Sequence, residues 1–223
     1  MAEFYGTIPK KFTKKWWDYF WTYYKWHVIG AVLLTIIFTV FLVGYFNSTK
    51  YDVTLTYAGP NYFTLQSSND VMDKYSPLCP DVNKDGKKQL SFVDMTLYMD
   101  DPDLEFKNAV ITSLQFSLLE EENYVYILHE DVIPKFVSSS AEVCLYAPVS
   151  DWLTVDVGDT QMYTAHDKNY GIRLSGSKIL EEQGIDLSDH YLVIRHAPKS
   201  KKELVRYKAS IEFANKLLEL SAD

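Results

Sequence analysis

An uninterrupted apolar run near the N-terminus constrains this chain more than any other feature. Residues 28–46 carry no charge. At 1.5 Å per helical residue they would reach roughly 28 Å, about the thickness of the hydrocarbon core of a bilayer. The apolar part of a cleaved signal peptide is shorter, about 7–15 residues, and is followed by a small-residue cleavage site that this run lacks. The sequence therefore predicts one transmembrane helix that acts as an uncleaved signal-anchor.

The charges that flank the run predict its orientation. Residues 1–27 carry five lysines and two acidic residues, whereas Lys50 and Asp52 are the charged residues just after the run. Because lysine stays on the cytoplasmic side, we expect a cytoplasmic segment (1–27), a membrane span (28–46) and an extracytoplasmic domain (47–223) in a single-pass protein of the cell membrane. The aromatic stretch 16–26 is expected to form a collar in the headgroup region, with docking to another membrane protein as the alternative.

The remaining 177 residues are long enough to bury the core of one domain. They carry 17 basic and 28 acidic residues, a net charge of −11. A surface of that sign repels nucleic acid, so nucleic acid is not an expected partner. The lipid bilayer is the expected partner of the N-terminal segment, whose lysines favour anionic lipid at the inner leaflet.

Strand and helix patterns alternate along this domain, which predicts an α/β fold with helices packed on a mixed sheet. One helix is expected to open after Pro102, because proline and acidic residues suit a first turn. The apolar residues expected to face the core on this helix are Phe106, Ala109, Val110, Leu114 and Leu118. Strands are predicted at 51–57, 89–99, 124–128, 143–146, 153–157, 170–174 and 191–196, and helical segments at 62–76, 132–137, 177–183 and 201–220.

The segment Asp81, Asn83, Asp85 and Gly86 has the spacing with which a calcium-binding loop begins. The bidentate glutamate expected at position twelve is missing, so Asp94 or another distant acid would have to complete the site. The alternative is a tight turn stabilised by Asx side chains and glycine. The sequence leaves both interpretations open, with calcium as the one candidate cofactor.

Two cysteines, Cys79 and Cys144, lie on the predicted extracytoplasmic side. A disulfide between them could add roughly 4 kcal/mol in the chain-entropy model, but sequence alone does not place them close together. No metalloprotease, nucleophile-elbow or phosphate-loop motif occurs. We therefore expect a protein that is not an enzyme.

Several segments resemble the extracellular solute-binding domains of the periplasmic-binding-protein type. These are 51–59 as a first core strand, 81–99 as a loop and second strand, 123–131 as a strand after a long helix, and 170–185 and 189–198 as returning segments. The chain also resembles membrane-anchored proteins of anaerobic Gram-positive bacteria, in which a segment like 25–30 opens the membrane span. The resemblance implies a reduced, periplasmic-binding-protein-like domain, since a full two-lobed binding protein needs considerably more chain.

The function expected from this resemblance is non-enzymatic binding of a small solute or a peptide, with a transporter as one candidate partner. The alternatives are an envelope scaffold protein without a ligand cleft and a membrane-tethered enzyme that uses unmarked carboxylates. A ligand would occupy a crevice at the strand ends. Aromatic residues near glycine or proline turns often line such crevices, and the predicted wall residues are Tyr57, Tyr62, Tyr146 and Trp152.

Overall fold

The structure is a computed structural model that describes residues 9–47, 50–98, 102–119, 123–137, 144–201 and 203–222. The chain divides into two compact units, Met1–Thr49 and Lys50–Asp223. The first eight residues of the predicted cytoplasmic segment lie outside the described residues, as do Met99 and Val143 of two predicted strands.

The first unit is built on one long helix, α1, which spans Lys14–Asn47. Within it, Lys14–Val43 is long and apolar enough to cross a membrane, and none of its most hydrophobic window is buried by protein. The helix thus agrees with the predicted membrane span and extends it towards the N-terminus. In the aromatic stretch, Phe20 stacks between Trp16 and Tyr24 with ring centroids 5.3 and 5.6 Å apart, because residues four apart share one face of a helix.

The second unit contains a six-stranded mixed sheet in the order β2-β1-β3-β6-β5-β4. The first three strands are parallel, and the other neighbouring strands pair antiparallel. This confirms the predicted α/β class with helices packed on a mixed sheet. The elements are β1 (Val53–Gly59), α2 (Leu65–Tyr75), β2 (Leu90–Thr96), α3 (Leu104–Leu119), β3 (Val125–His129), β4 (Met162–Ala165), β5 (Lys168–Arg173), β6 (His190–Ile194) and α4 (Glu203–Ala222).

Two hydrophobic cores lie on opposite faces of this sheet. The first core joins α2 and α4 to strand residues such as Leu55 and Ile127. The second core joins α3 and the 3-10 turn Ile133–Phe136 to strand residues whose side chains point to the other face, such as Tyr126. Alternation along each strand sends successive side chains to opposite faces, so β1 and β3 are buried on both sides. This burial explains why β3 is a nearly continuous apolar run.

The structure corrects three sequence predictions. Residues 153–157 do not form a strand, because the backbone N–H of Thr154 donates to Asn215 Oδ1 of α4 at 2.8 Å instead of to a sheet neighbour. The predicted strand at 143–146 is reduced, among described residues, to an isolated bridge between Tyr146 and Arg195. The predicted helix at 177–183 is only a 3-10 turn, Glu181–Gln183.

The expected apolar face of α3 is also only half correct. Leu114 and Leu118 are fully buried in the second core. Phe106, by contrast, is 48% exposed, Ala109 is exposed and Val110 is half-buried. The N-terminal half of the face predicted to be core is therefore left open beside the sheet.

Candidate functional site

A groove of ≈ 630 Å³ lies against β2, which is an edge strand of the sheet. One wall is the loop between β1 and α2, represented by Tyr62, whose side chain is 71% exposed. The other wall is the uncovered face of α3. The floor is the C-terminal half of β2. The residues that line the whole groove are Tyr62, Val93, Asp94, Met95, Thr96, Tyr98, Phe106, Ala109, Val110 and Ser113.

The backbone of β2 presents one set of polar groups to β1 and the other set to this groove. Asp52 N–H donates to Gln89 C=O, and Leu97 N–H donates to Gly59 C=O. The backbone N–H and C=O groups of the odd-numbered β2 residues therefore point to β1. The Leu90 N–H points the other way, to Ser76 Oγ. By alternation, the peptide groups of Phe92, Asp94 and Thr96 face outward. None of the described residues makes a backbone hydrogen bond to them outside the sheet.

Asp94 is the one carboxylate among the described residues that line the groove. Its Oδ2 accepts from the Phe63 N–H at 3.3 Å, and the Thr96 hydroxyl lies 3.0 and 3.1 Å from its two oxygens. Burial raises the pKa of Asp94 above its ordinary value, although the hydrogen bonds from Thr96 and Phe63 oppose that rise. The groove thus holds a carboxylate that has lost part of its hydration and that no described cation pairs with.

A hydrogen-bonded chain leads from this groove into the first core. The Thr96 hydroxyl lies 3.2 Å from the Asn61 carbonyl. The Asn61 backbone N–H and side-chain amide both donate to the Tyr57 hydroxyl, at 3.2 and 2.9 Å. The Tyr57 hydroxyl in turn lies 3.0 Å from His190 Nε2. Gly59 is required at this point, because a Cβ would lie 2.5 Å from the Tyr57 hydroxyl oxygen.

The hydrogen-bond donors along this series of side chains determine which ring nitrogen of His190 carries the proton. Because the Tyr57 oxygen already accepts two hydrogen bonds from Asn61, its own O–H must donate to His190 Nε2. His190 therefore carries its proton on Nδ1, which has no hydrogen-bond partner among the described residues. His190 is only 2% exposed. Burial, and secondarily the neighbouring His129, lowers its pKa to about 4, so the ring is neutral at pH 7.

The structure separates the four aromatic residues predicted to line one crevice. Tyr57 and Trp152 are buried in the first core, and Tyr146 is buried in the second core on the opposite face. Tyr62 alone of the four lines the groove. Near the carboxyl ends of β1 and β3, the ring of Tyr57 stacks on that of His190, with centroids 5.4 Å apart. The groove that Tyr62 lines lies at the edge of the sheet.

The predicted calcium loop is closed by its own backbone. Asp81 accepts hydrogen bonds from the N–H groups of Asp85 and Gly86, and Asn83 accepts from Asp85. The Asp94 carboxylate accepts hydrogen bonds from Phe63 and Thr96 beside the groove instead. Within the described residues no group of three or more metal-ligating side chains occurs.

The hydrogen bonds support the turn interpretation of this loop, and calcium binding by it stays a prediction. A calcium-dependent rise in melting temperature that Asp85→Ala abolishes would establish it.

The two cysteines lie on opposite faces of the sheet. Cys79 belongs to the first core and Cys144 to the second, and both are buried free thiols. The intervening sheet keeps them from pairing, so the disulfide left open by the sequence is not formed in this structure.

Sequence reasoning missed most of the groove. Thr96 and Tyr98 carried no motif, and Phe106 was assigned to the core. Asp94 was singled out, but for a calcium site. Tyr62 is the groove residue that the sequence had named as a wall residue, and its position has a physical reason. A Gly-Pro-Asn turn directly after a buried strand places the next loop at the carboxyl edge of the sheet, where α/β proteins bind ligands.

Comparison with protein-family models, curated proteins and solved structures finds no match to this chain. The geometry and chemistry of the groove are therefore what support a functional proposal.

Proposed function

We propose that this chain is a single-pass membrane protein, with a cytoplasmic N-terminus, whose extracytoplasmic α/β domain binds a ligand in the groove along β2 without transforming it. The observation that carries the proposal is the uncovered apolar face of α3 beside a half-buried carboxylate. An exposed apolar surface next to convergent polar groups is typical of a binding site. Here Phe106 and Val110 supply the apolar surface, while Asp94 and Thr96 supply the polar groups.

The groove chemistry favours binding over catalysis. A hydrolase that works with paired carboxylates needs two of them facing one reacting bond, and the described lining holds Asp94 alone. His190 is the nearest described base in the hydrogen-bonded chain, but its Nε2 is engaged by Tyr57 inside the core. A general base must reach the proton that it abstracts.

The groove also bears on the resemblance to solute-binding domains. We propose a reduced domain of that type, in which binding has moved from the strand ends, where Tyr57 stacks on His190, to the edge of the sheet. The runner-up is an envelope interaction or scaffold protein that has lost its ligand cleft. The burial of Tyr57, Tyr146 and Trp152 is the observation that favours this runner-up.

The orientation in the membrane is tested by proteolysis of spheroplasts. We expect added protease to digest the domain while the lysine-rich N-terminal segment stays protected until lysis, because lysine remains on the cytoplasmic side. A domain protected until lysis would contradict this topology. A mature protein that begins after residue 46 would show that the apolar run is a cleaved signal.

Ligand binding is tested by thermal shift of the full chain in lipid nanodiscs against panels of small solutes and short peptides. A ligand of the folded domain should raise the melting temperature. Phe106→Ala should reduce that shift because Phe106 lines the groove. The matched control is Phe116→Ala, on the same helix but 63% exposed and outside the groove. If no compound gives a shift that depends on Phe106, the binding proposal fails and the scaffold alternative stands.

A further inference from the structure

We infer that the occupant of the groove is an extended, basic peptide segment of a partner protein, which pairs with the edge of β2 and places a lysine or arginine on Asp94. The inference rests on the proposed function, because it names the ligand class of the same groove. Three independent features support it: the unpaired edge of β2, the two unlike walls of the groove, and the single carboxylate between them.

The edge of β2 offers a row of backbone groups to a partner strand. The peptide groups of Phe92, Asp94 and Thr96 face away from β1, and within the described residues they have no partner from another element. Such a row is a template for strand addition. An added strand would lie on the groove floor, between Tyr62 and α3. Backbone pairing would then supply affinity that is independent of the peptide sequence.

The two walls would read alternate side chains of the added strand. Asp94 and Thr96 lie on the side of the β1–α2 loop, since they bond to Phe63 and Asn61. Val110 packs against the second core on the opposite side. Because successive side chains of a strand point to opposite faces, one set would meet Asp94 and the other set would meet the apolar face of α3. The preferred peptide alternates basic and apolar residues.

Charge complementarity selects the basic partner. Asp94 is half-buried and pairs with no described cation, so a bound ammonium or guanidinium group would restore the interactions that it has lost with water. The whole extracytoplasmic segment has a net charge of −11, which attracts a basic partner over longer distances. A second copy of this chain would bring the same negative charge and would be repelled. A peptide fits the open groove better than a small solute, which proteins usually enclose.

The test uses the full chain in phosphatidylcholine nanodiscs, which lack anionic lipid, with empty nanodiscs as the blank. The probe is a capped, fluorescein-labelled nonapeptide of alternating valine and lysine, followed by fluorescence anisotropy. We expect saturable binding that Asp94→Asn weakens roughly ten- to hundredfold, as for a hydrogen bond to a charged group. The control Asp70→Asn makes the same charge change on the exposed surface of α2 and should leave affinity within about twofold.

Backbone pairing is tested with two N-methylated versions of the probe, one methylated at every valine and one at every lysine. Successive N–H groups of a strand point to opposite sides, so one version should lose binding and the other should retain it. Equal binding of both versions, or of a valine–glutamate probe, would overturn the strand-addition inference. If the lysine probe fails while another compound gives a shift that depends on Phe106, only this inference falls. If no compound gives such a shift, the proposed function falls as well.

Discussion

Acid should destabilise the domain through His190. Its pKa is lowered from 6.5 to about 4 by burial and by His129, against the opposing effect of Asp189 and Asp186. Protonating Nε2 would also set two donors face to face, because the Tyr57 hydroxyl already donates to that nitrogen. Between pH 6.5 and 4 the folded state binds fewer protons than the unfolded state. The contribution of neutral His190 to the free energy of unfolding is therefore fully present above pH 6.5 and is lost as the pH falls to 4.

The size of this loss follows from the shift. At 1.36 kcal/mol per pKa unit, lowering the pKa from 6.5 to about 4 corresponds to roughly 3 kcal/mol. That is a large share of the 5–15 kcal/mol by which domains are usually stable. His190→Gln should remove this part of the pH dependence, because the glutamine Oε1 can still accept the Tyr57 hydroxyl but does not titrate.

The assay is urea unfolding of residues 50–223, which form a compact unit with two cores of their own. Fluorescence of Trp152, the only tryptophan in this unit, reports the transition at pH 7 and pH 4.5. The wild-type domain should lose more stability between these pH values than His190→Gln does, and the control His166→Gln, in an exposed turn, should follow the wild type. Equal losses for wild type and His190→Gln would refute the assigned network.

Three further predictions concern the stability of the domain and its two cysteines. Asp52→Ala should lower the free energy of unfolding by roughly 2–3 kcal/mol in urea titrations, because it strands the Val82 and Gln89 N–H groups that now donate to Asp52. Gly59→Ala should cost roughly 1–3 kcal/mol in the same assay, because its Cβ would lie 2.5 Å from the Tyr57 hydroxyl oxygen and 2.6 Å from His190 Nε2. Mass spectrometry after alkylation should count two free thiols. They should react only on unfolding, because both are buried and burial raises the pKa of each thiol, that of Cys79 to about 12. A mass that changes on reduction would contradict the structure.

The elements with strong local patterns were predictable from the sequence. Strands β1, β2, β3, β5 and β6 follow apolar or alternating runs, and α3 and α4 follow helical spacing. Strand β4 was missed because its hairpin turns at His166 and Asp167, both with positive φ, without the glycine that usually marks such a turn. Residues 153–157 have the composition of a strand but do not form one. The backbone N–H of Thr154 donates to Asn215 of α4, a long-range contact that no local pattern contains.

The groove was harder to predict than the fold. Helical spacing identifies the apolar face of α3, but it does not tell which half of that face has a neighbour. Leu114 meets the sheet, whereas Phe106 extends beside its free edge. The association of aromatic residues with turns singled out Tyr62, which lines the groove, and also Tyr146 and Trp152, which are buried in the two cores, because the same composition serves a core and a binding wall equally well.

Amide hydrogen exchange along β2, measured by NMR on residues 50–223 with and without the valine–lysine peptide, tests strand addition most directly. In the free domain, the N–H groups of Val93 and Met95 should exchange slowly because they face β1, while those of Phe92, Asp94 and Thr96 should exchange fast. Saturating peptide should protect these three outward groups, alternating with the two already protected. If all three still exchange fast in the presence of saturating peptide, strand addition at β2 is contradicted.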